Sequence, residues 1–110
     1  MANARQAREH KDRGIALLIK GKAEAALHEF RAAVQADPQD PAARRKIAEM
    51  LAKLGRKEEA IAAYQALAGR LAVRGKLLEA TAITKVILQL DPKHTQTQRA
   101  LAQFASRQAA

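Results

Sequence analysis

Hydrophobic positions recur with a helical period along most of this chain. The clearest stretch is 55–75, GRKEEAIAAYQALAGRLAVRG. Its apolar residues Ala60, Ile61, Tyr64, Leu67, Ala68, Leu71 and Ala72 follow i, i+3, i+4, i+7 spacing and share one helix face. A glycine stands at each end, where helices start and stop. The same period predicts a first helix over 4–20 with Leu17, Leu18 and Ile19 as its apolar end, and a second over 22–36 with Ala26, Leu27, Phe30, Ala33 and Val34 in register. A third helix is predicted over 41–54, with Ile47, Ala48, Leu51 and Leu54 as its buried stripe. The fifth, over 76–90, is apolar around a wide arc that includes Leu77, Leu78, Ala82, Ile83 and Ile87, a pattern that predicts a helix sandwiched between neighbours. A sixth starts near Thr95 and carries Leu101, Phe104 and Ala105, and the tail SRQAA reads as frayed.

The breakers between these helices are local and strong. Pro38 ends the second helix, because proline disfavours helical geometry in the residue before it. Asp40 is a good N-cap and Pro41 a good first helical residue. Glu58 and Glu59 sit in the first turn of the fourth helix and Arg70 and Arg74 near its end, as its dipole favours. No connection exceeds a few residues, so consecutive helices are expected to be antiparallel neighbours in one all-α domain over 1–110.

Composition narrows the chemistry. Aromatic residues make up 3% of the chain, so the core must be built from Ala, Leu, Ile and Val. There is no cysteine, which excludes disulfides, thiolate catalysis and Cys-based metal sites. The opening MANARQAREHKDRG lacks the apolar core of a signal peptide, and no apolar run approaches the ~20 residues that span a membrane. The expectation is a cytoplasmic protein with no membrane partner. The net charge of +9 attracts acidic surfaces or nucleic acid.

A repeat underlies the helices. Gly21 and Gly55 are separated by 34 residues, and each opens a similar run, GKAEAALHEF and GRKEEAIAAY. Gly14 and Ala48, Leu17 and Leu51, Ala26 and Ala60, and Phe30 and Tyr64 correspond, and Pro38 closes the first unit. A helix pair repeated at this period resembles the tetratricopeptide family. The pattern then changes: the next glycine, Gly75, comes after 20 residues, and the next Asp-Pro is Asp91-Pro92. Residues 58–74 therefore read both as the second helix of one unit and the first of the next, a single helix shared between repeats. The family's large residue early in each first helix is replaced by His10 and Arg44. The run DPKHTQTQ with RALAQF, residues 91–104, resembles a helical region found beside cyclic-nucleotide-binding domains in some bacterial regulatory proteins, and that resemblance implies a bacterial source.

Candidate chemistry is sparse. His10, His28 and His94 have no i, i+4 partner and no acidic cluster in sequence, so they read as surface or packing residues. Glu58 and Glu59 point in different directions on a helix. Ser106, the single serine, has no triad partners, and GKAEAA lacks the glycines and hydroxyl of a phosphate loop. No enzyme activity, metal or cofactor is expected. The resemblance implies instead that the first helix of each unit lines a groove. Those helices offer Arg8, Lys11, Ile15, Leu18 and Ile19 in the first unit, and Arg45, Lys46, Glu49, Ala52 and Lys53 in the second. Arg45, Glu49 and Lys53 follow i, i+4, i+8 and share a face away from Ile47, Leu51 and Leu54. Arg8, Lys11, Arg45, Lys46 and Lys53, with Glu49 among them, are thus expected to form a basic groove for an acidic peptide or C-terminal carboxylate; the bland reading is a solvated helix face. The asparagines of the chaperone-binding carboxylate clamp are replaced by Ile15 and Glu49, so chaperone binding is not implied. The rival partner is nucleic acid, bound weakly and without sequence preference, since no aromatic platform exists for bases. Self-association through Leu77 and Leu88 is a third reading, unless the sixth helix covers them.

Overall fold

Two kinds of turn, each repeated, set the architecture in the computed structural model, which describes residues 2–109. Six helices follow one another: α1 (Ala4–Ile19), α2 (Ala23–Ala36), α3 (Pro41–Lys53), α4 (Lys57–Val73), α5 (Leu77–Leu90) and α6 (Thr95–Ala109). No strand occurs among the described residues.

The first kind of turn is built on glycine. Gly21, Gly55 and Gly75 have φ of 75°, 77° and 78°, in the left-handed region that a side chain resists. Each glycine N–H donates to the carbonyl three residues back, and the next N–H to the carbonyl five back, as in Lys22 to Leu17, Arg56 to Leu51 and Lys76 to Leu71, all at 2.9 Å. The second kind is built on Asp-Pro. Asp37 N–H donates to Ala33 at 2.9 Å and Asp91 N–H to Ile87 at 2.8 Å, and each carboxylate accepts from the N–H two residues on, at 3.3 Å. The turns run glycine, Asp-Pro, glycine, glycine, Asp-Pro. Helix α4 is therefore entered and left by the same glycine turn, which is the local structure the 34-then-20 spacing predicts.

The chain divides into two compact units, Met1–Ala60 and Ile61–Ala110. In the first, α1 packs on α2 and α2 on α3. Ala7, Ala33 and Ala43 meet at their centre, with Val34 and Ala36 against them. Their small side chains let the helices approach closely. Phe30 is fully buried and lies against Gly14 of α1. Asn3 caps α1 by accepting from Gln6 N–H at 3.0 Å, and its own N–H donates to the Ala36 carbonyl at 2.7 Å. Arg56 reaches Glu24 at 2.7 Å and ties one glycine turn to the other. In the second unit α5 packs on α6, and the buried side chains of that pair are Ala80, Ile83, Thr84, Ile87, Thr97 and Phe104. The Thr84 hydroxyl donates to the Thr81 carbonyl at 2.7 Å, and Thr97 bonds His94 Nδ1 at 2.8 Å.

All seven apolar residues read from stretch 55–75 are buried. Other expectations are corrected. Ile47 of α3 and Leu54, the residue that caps its end, are half-buried, while Ala43 and Met50 take the inward places with Ala48 and Leu51. Ile19 ends α1 at 83% exposure instead of joining its packed face. Helix α5 is not enclosed all round: Leu78 is 79% exposed and Ala82 is exposed, whereas Leu77 and Leu88 are half-buried. The tail is helical through Ala109, so fraying is not seen there, and Ala110 lies outside the described residues.

Candidate functional site

The expected binding residues belong to α1 and α3 of the first unit. Successive helical residues turn by about 100°. With Ala7 and Gly14 directed inward, Arg8, Ile15 and Ile19 lie to one side, and all three are exposed. On α3, Ala43, Ala48, Met50 and Leu51 face inward, which leaves Arg45, Glu49 and Lys53 on the open side, one turn apart. Arg45 and Lys53 are exposed, and Glu49 is half-exposed.

These cations are not equivalent. Lys11 forms an ion pair with Asp40, the N-cap of α3, and both are half-buried. Asp40 also accepts from Ala42 N–H at 3.0 Å, so one carboxylate caps α3 and anchors α1. Of the cations expected in the groove, Lys11 thus already has an internal acidic partner. Lys46 bridges Glu49 at 3.3 Å with both side chains well solvated. Such an exposed pair contributes well under about 1 kcal/mol and opens readily. The side chains of Arg8, Arg45 and Lys53 make no hydrogen bond or ion pair among the described residues.

A second cluster escaped sequence reasoning. His10 Nδ1 lies 2.7 Å from Glu29 Oε2, and Arg13 approaches both, with Nε 3.5 Å from Glu29 and Nη2 3.1 Å from His10. The hydrogen bond from His10 holds the Glu29 carboxyl below its ordinary value; desolvation opposes this and Arg13 adds to it. His10 therefore has an acidic partner 19 residues away. The hairpin about Gly21 folds residues 10–13 back on α2, and that topology was the available signal. The cluster locks α1 to α2.

The second unit has an open cleft of about 260 Å³ lined by Gln65 and Gly69 of α4, Thr84 of α5, and Gln96, Thr97 and Phe104 of α6. Gln65 donates to Gln96 across it at 3.3 Å. No buried side-chain polar atom among the described residues lacks a partner, so the cleft presents no unmet donor or acceptor from its floor. No described helix is long and apolar enough to cross a membrane.

Comparison with known proteins places this arrangement. A tetratricopeptide repeat family model matches residues 11–82, and the chain belongs to that family. Its fold is similar to the first tetratricopeptide domain of Spaghetti (RPAP3) bound to an HSP90 peptide, at 20% identity and TM-score 0.56, covering 99% of this chain and 100% of that one. The second such domain of human RPAP3, in complex with an HSP70 peptide, is 24% identical with TM-score 0.52, covering 91% and 95%. The Yersinia enterocolitica type III secretion chaperone SycD, in complex with a peptide of the translocator YopD, is 17% identical with TM-score 0.50, covering 92% and 93%. At these identities the likeness is one of fold. No curated protein matches the chain. The likeness of residues 91–104 to the region beside cyclic-nucleotide-binding domains gains no support from these comparisons.

Proposed function

We propose that this tetratricopeptide module is a non-catalytic adaptor that takes an acidic peptide, or an acidic segment of a protein surface, on the open faces of α1 and α3. One observation carries the reading. Lys11, Arg13 and Arg56 pair with Asp40, Glu29 and Glu24, whereas Arg8, Arg45 and Lys53 on those two faces have no internal partner among the described residues. Cations left open on the faces a peptide would meet provide charge for steering and register. The family's use of a preformed helical surface for peptides supports the same reading.

The test is fluorescence anisotropy with a labelled acidic peptide, at low and at physiological salt. Arg45→Glu/Lys53→Glu should weaken binding at least tenfold, since each reversal replaces an attraction with a repulsion of about 0.5–1 kcal/mol. Lys11→Met should leave affinity unchanged, because its charge is spent on Asp40. Equal binding by wild type and the double reversal overturns the proposal. Preference for a single-stranded oligonucleotide over every acidic peptide would transfer the surface to nucleic acid.

A further inference from the structure

Two features of α1 and α3 are poorly suited to a uniformly charged ligand. Ile15 and Ile19 are 44% and 83% exposed, one turn apart, on the same side of α1 as Arg8. They are the exposed large hydrophobic residues of the first unit among the described residues. Glu49 stands between Arg45 and Lys53, one helical turn from each, and pairs with Lys46. A continuous run of carboxylates along α3 would set one of them against Glu49. Laid over Ile15 and Ile19, such a run would lose water with no polar partner in return.

We infer that the segment taken here is a mixed one, with carboxylates separated by about three or four residues and an aliphatic side chain at a similar interval. The inference rests on the peptide-binding reading above and specifies its ligand. The spacing follows from helix geometry. Arg45 and Lys53 are separated by about 12 Å along α3, and Arg8 and Ile15 by about 10 Å along α1, at about 1.5 Å per residue. An extended peptide advances about 3.3 Å per residue, so either interval is three or four residues. The aliphatic residue covers Ile15 and Ile19, and the spaced carboxylates straddle Glu49. A second copy of the chain is disfavoured as occupant, because two molecules of net charge +9 repel. Nucleic acid is disfavoured for the reason that excludes a polyacidic run: its charges are evenly and closely spaced.

Four labelled probes decide the question by anisotropy at physiological salt: a Glu/Ser peptide with spaced glutamates and two leucines, the same peptide with both leucines changed to serine, an uninterrupted oligo-glutamate, and single-stranded DNA. The leucine peptide should bind wild type at least tenfold tighter than the serine peptide. Ile15→Ser/Ile19→Ser should abolish that difference while leaving the serine peptide's affinity unchanged. Glu49→Gln should strengthen oligo-glutamate binding severalfold and change the spaced peptide little. Both positions are solvated, and circular dichroism confirms that each variant is folded. Equal binding of leucine and serine peptides to wild type overturns this inference and leaves the acidic-peptide reading standing, and so does a preference for oligo-glutamate. Failure of all three peptides to bind overturns both, and DNA binding tighter than every peptide does the same.

Discussion

Gly14 and Gly69 are both helical glycines, yet replacing each with alanine should move stability in opposite directions. A Cβ at Gly14 would sit 2.7 Å from Phe30 Cε1, 2.8 Å from Cζ and 3.0 Å from Cδ1. Ordinary carbon contacts are about 3.5–4.0 Å. The Phe30 ring is fully buried, so it cannot retreat without displacing its neighbours or parting α1 from α2. Overpacking of this kind costs about 1–3 kcal/mol. Against it stands the gain in helix propensity from glycine to alanine, about 1 kcal/mol. The net expectation for Gly14→Ala is a loss of up to about 2 kcal/mol, a fall in Tm of up to roughly 8 °C for a chain of this size. At Gly69 a Cβ meets nothing within 4 Å, so only the propensity gain remains. Gly69→Ala should be stabilised by about 0.5–1 kcal/mol. Thermal and urea melts followed by circular dichroism, run on both variants and wild type, read the signs directly. A Gly14→Ala protein stabilised as much as Gly69→Ala would refute the close approach of α1 to Phe30.

Other outcomes follow from the polar contacts. The Glu29 carboxyl is held below its ordinary value of 4.5, so its contacts with His10 and Arg13 stabilise the fold fully above that pH and are lost as pH falls through the lowered native value. Glu29→Gln should therefore lower the urea midpoint at pH 7, and the gap from wild type should close below 4.5; a gap that widens in acid contradicts the assignment. Asp40→Ala removes the cap of α3 and the partner of Lys11 and should cost about 1–2 kcal/mol, whereas Asp40→Asn keeps the cap and should cost less. Equal urea midpoints for the two variants would show that the cap contributes nothing.

The sequence alone determined the helices and the turns, because both depend on local chemistry. Left-handed φ at Gly21, Gly55 and Gly75, and capping by Asp37, Asp40 and Asp91, need only neighbours within a few residues. The period likewise marks which residues of α4 share a face. It does not say which of several candidate faces turns inward when apolar residues are spread around a helix. On α3 it favoured Ile47 and Leu54, and packing chose Ala43 and Met50. On α1 it gathered Ile19 with Leu17 and Leu18, and packing left Ile19 in solvent. The binding surface depended most on tertiary structure. Lys11 and Arg8 look alike in sequence, and they differ because the fold brings Asp40, 29 residues away, beside Lys11 and, among the described residues, no polar partner to the Arg8 side chain. Such pairings are fixed by the rotation of each helix about its axis and by the hairpins that fold it back, and short-range sequence patterns carry neither.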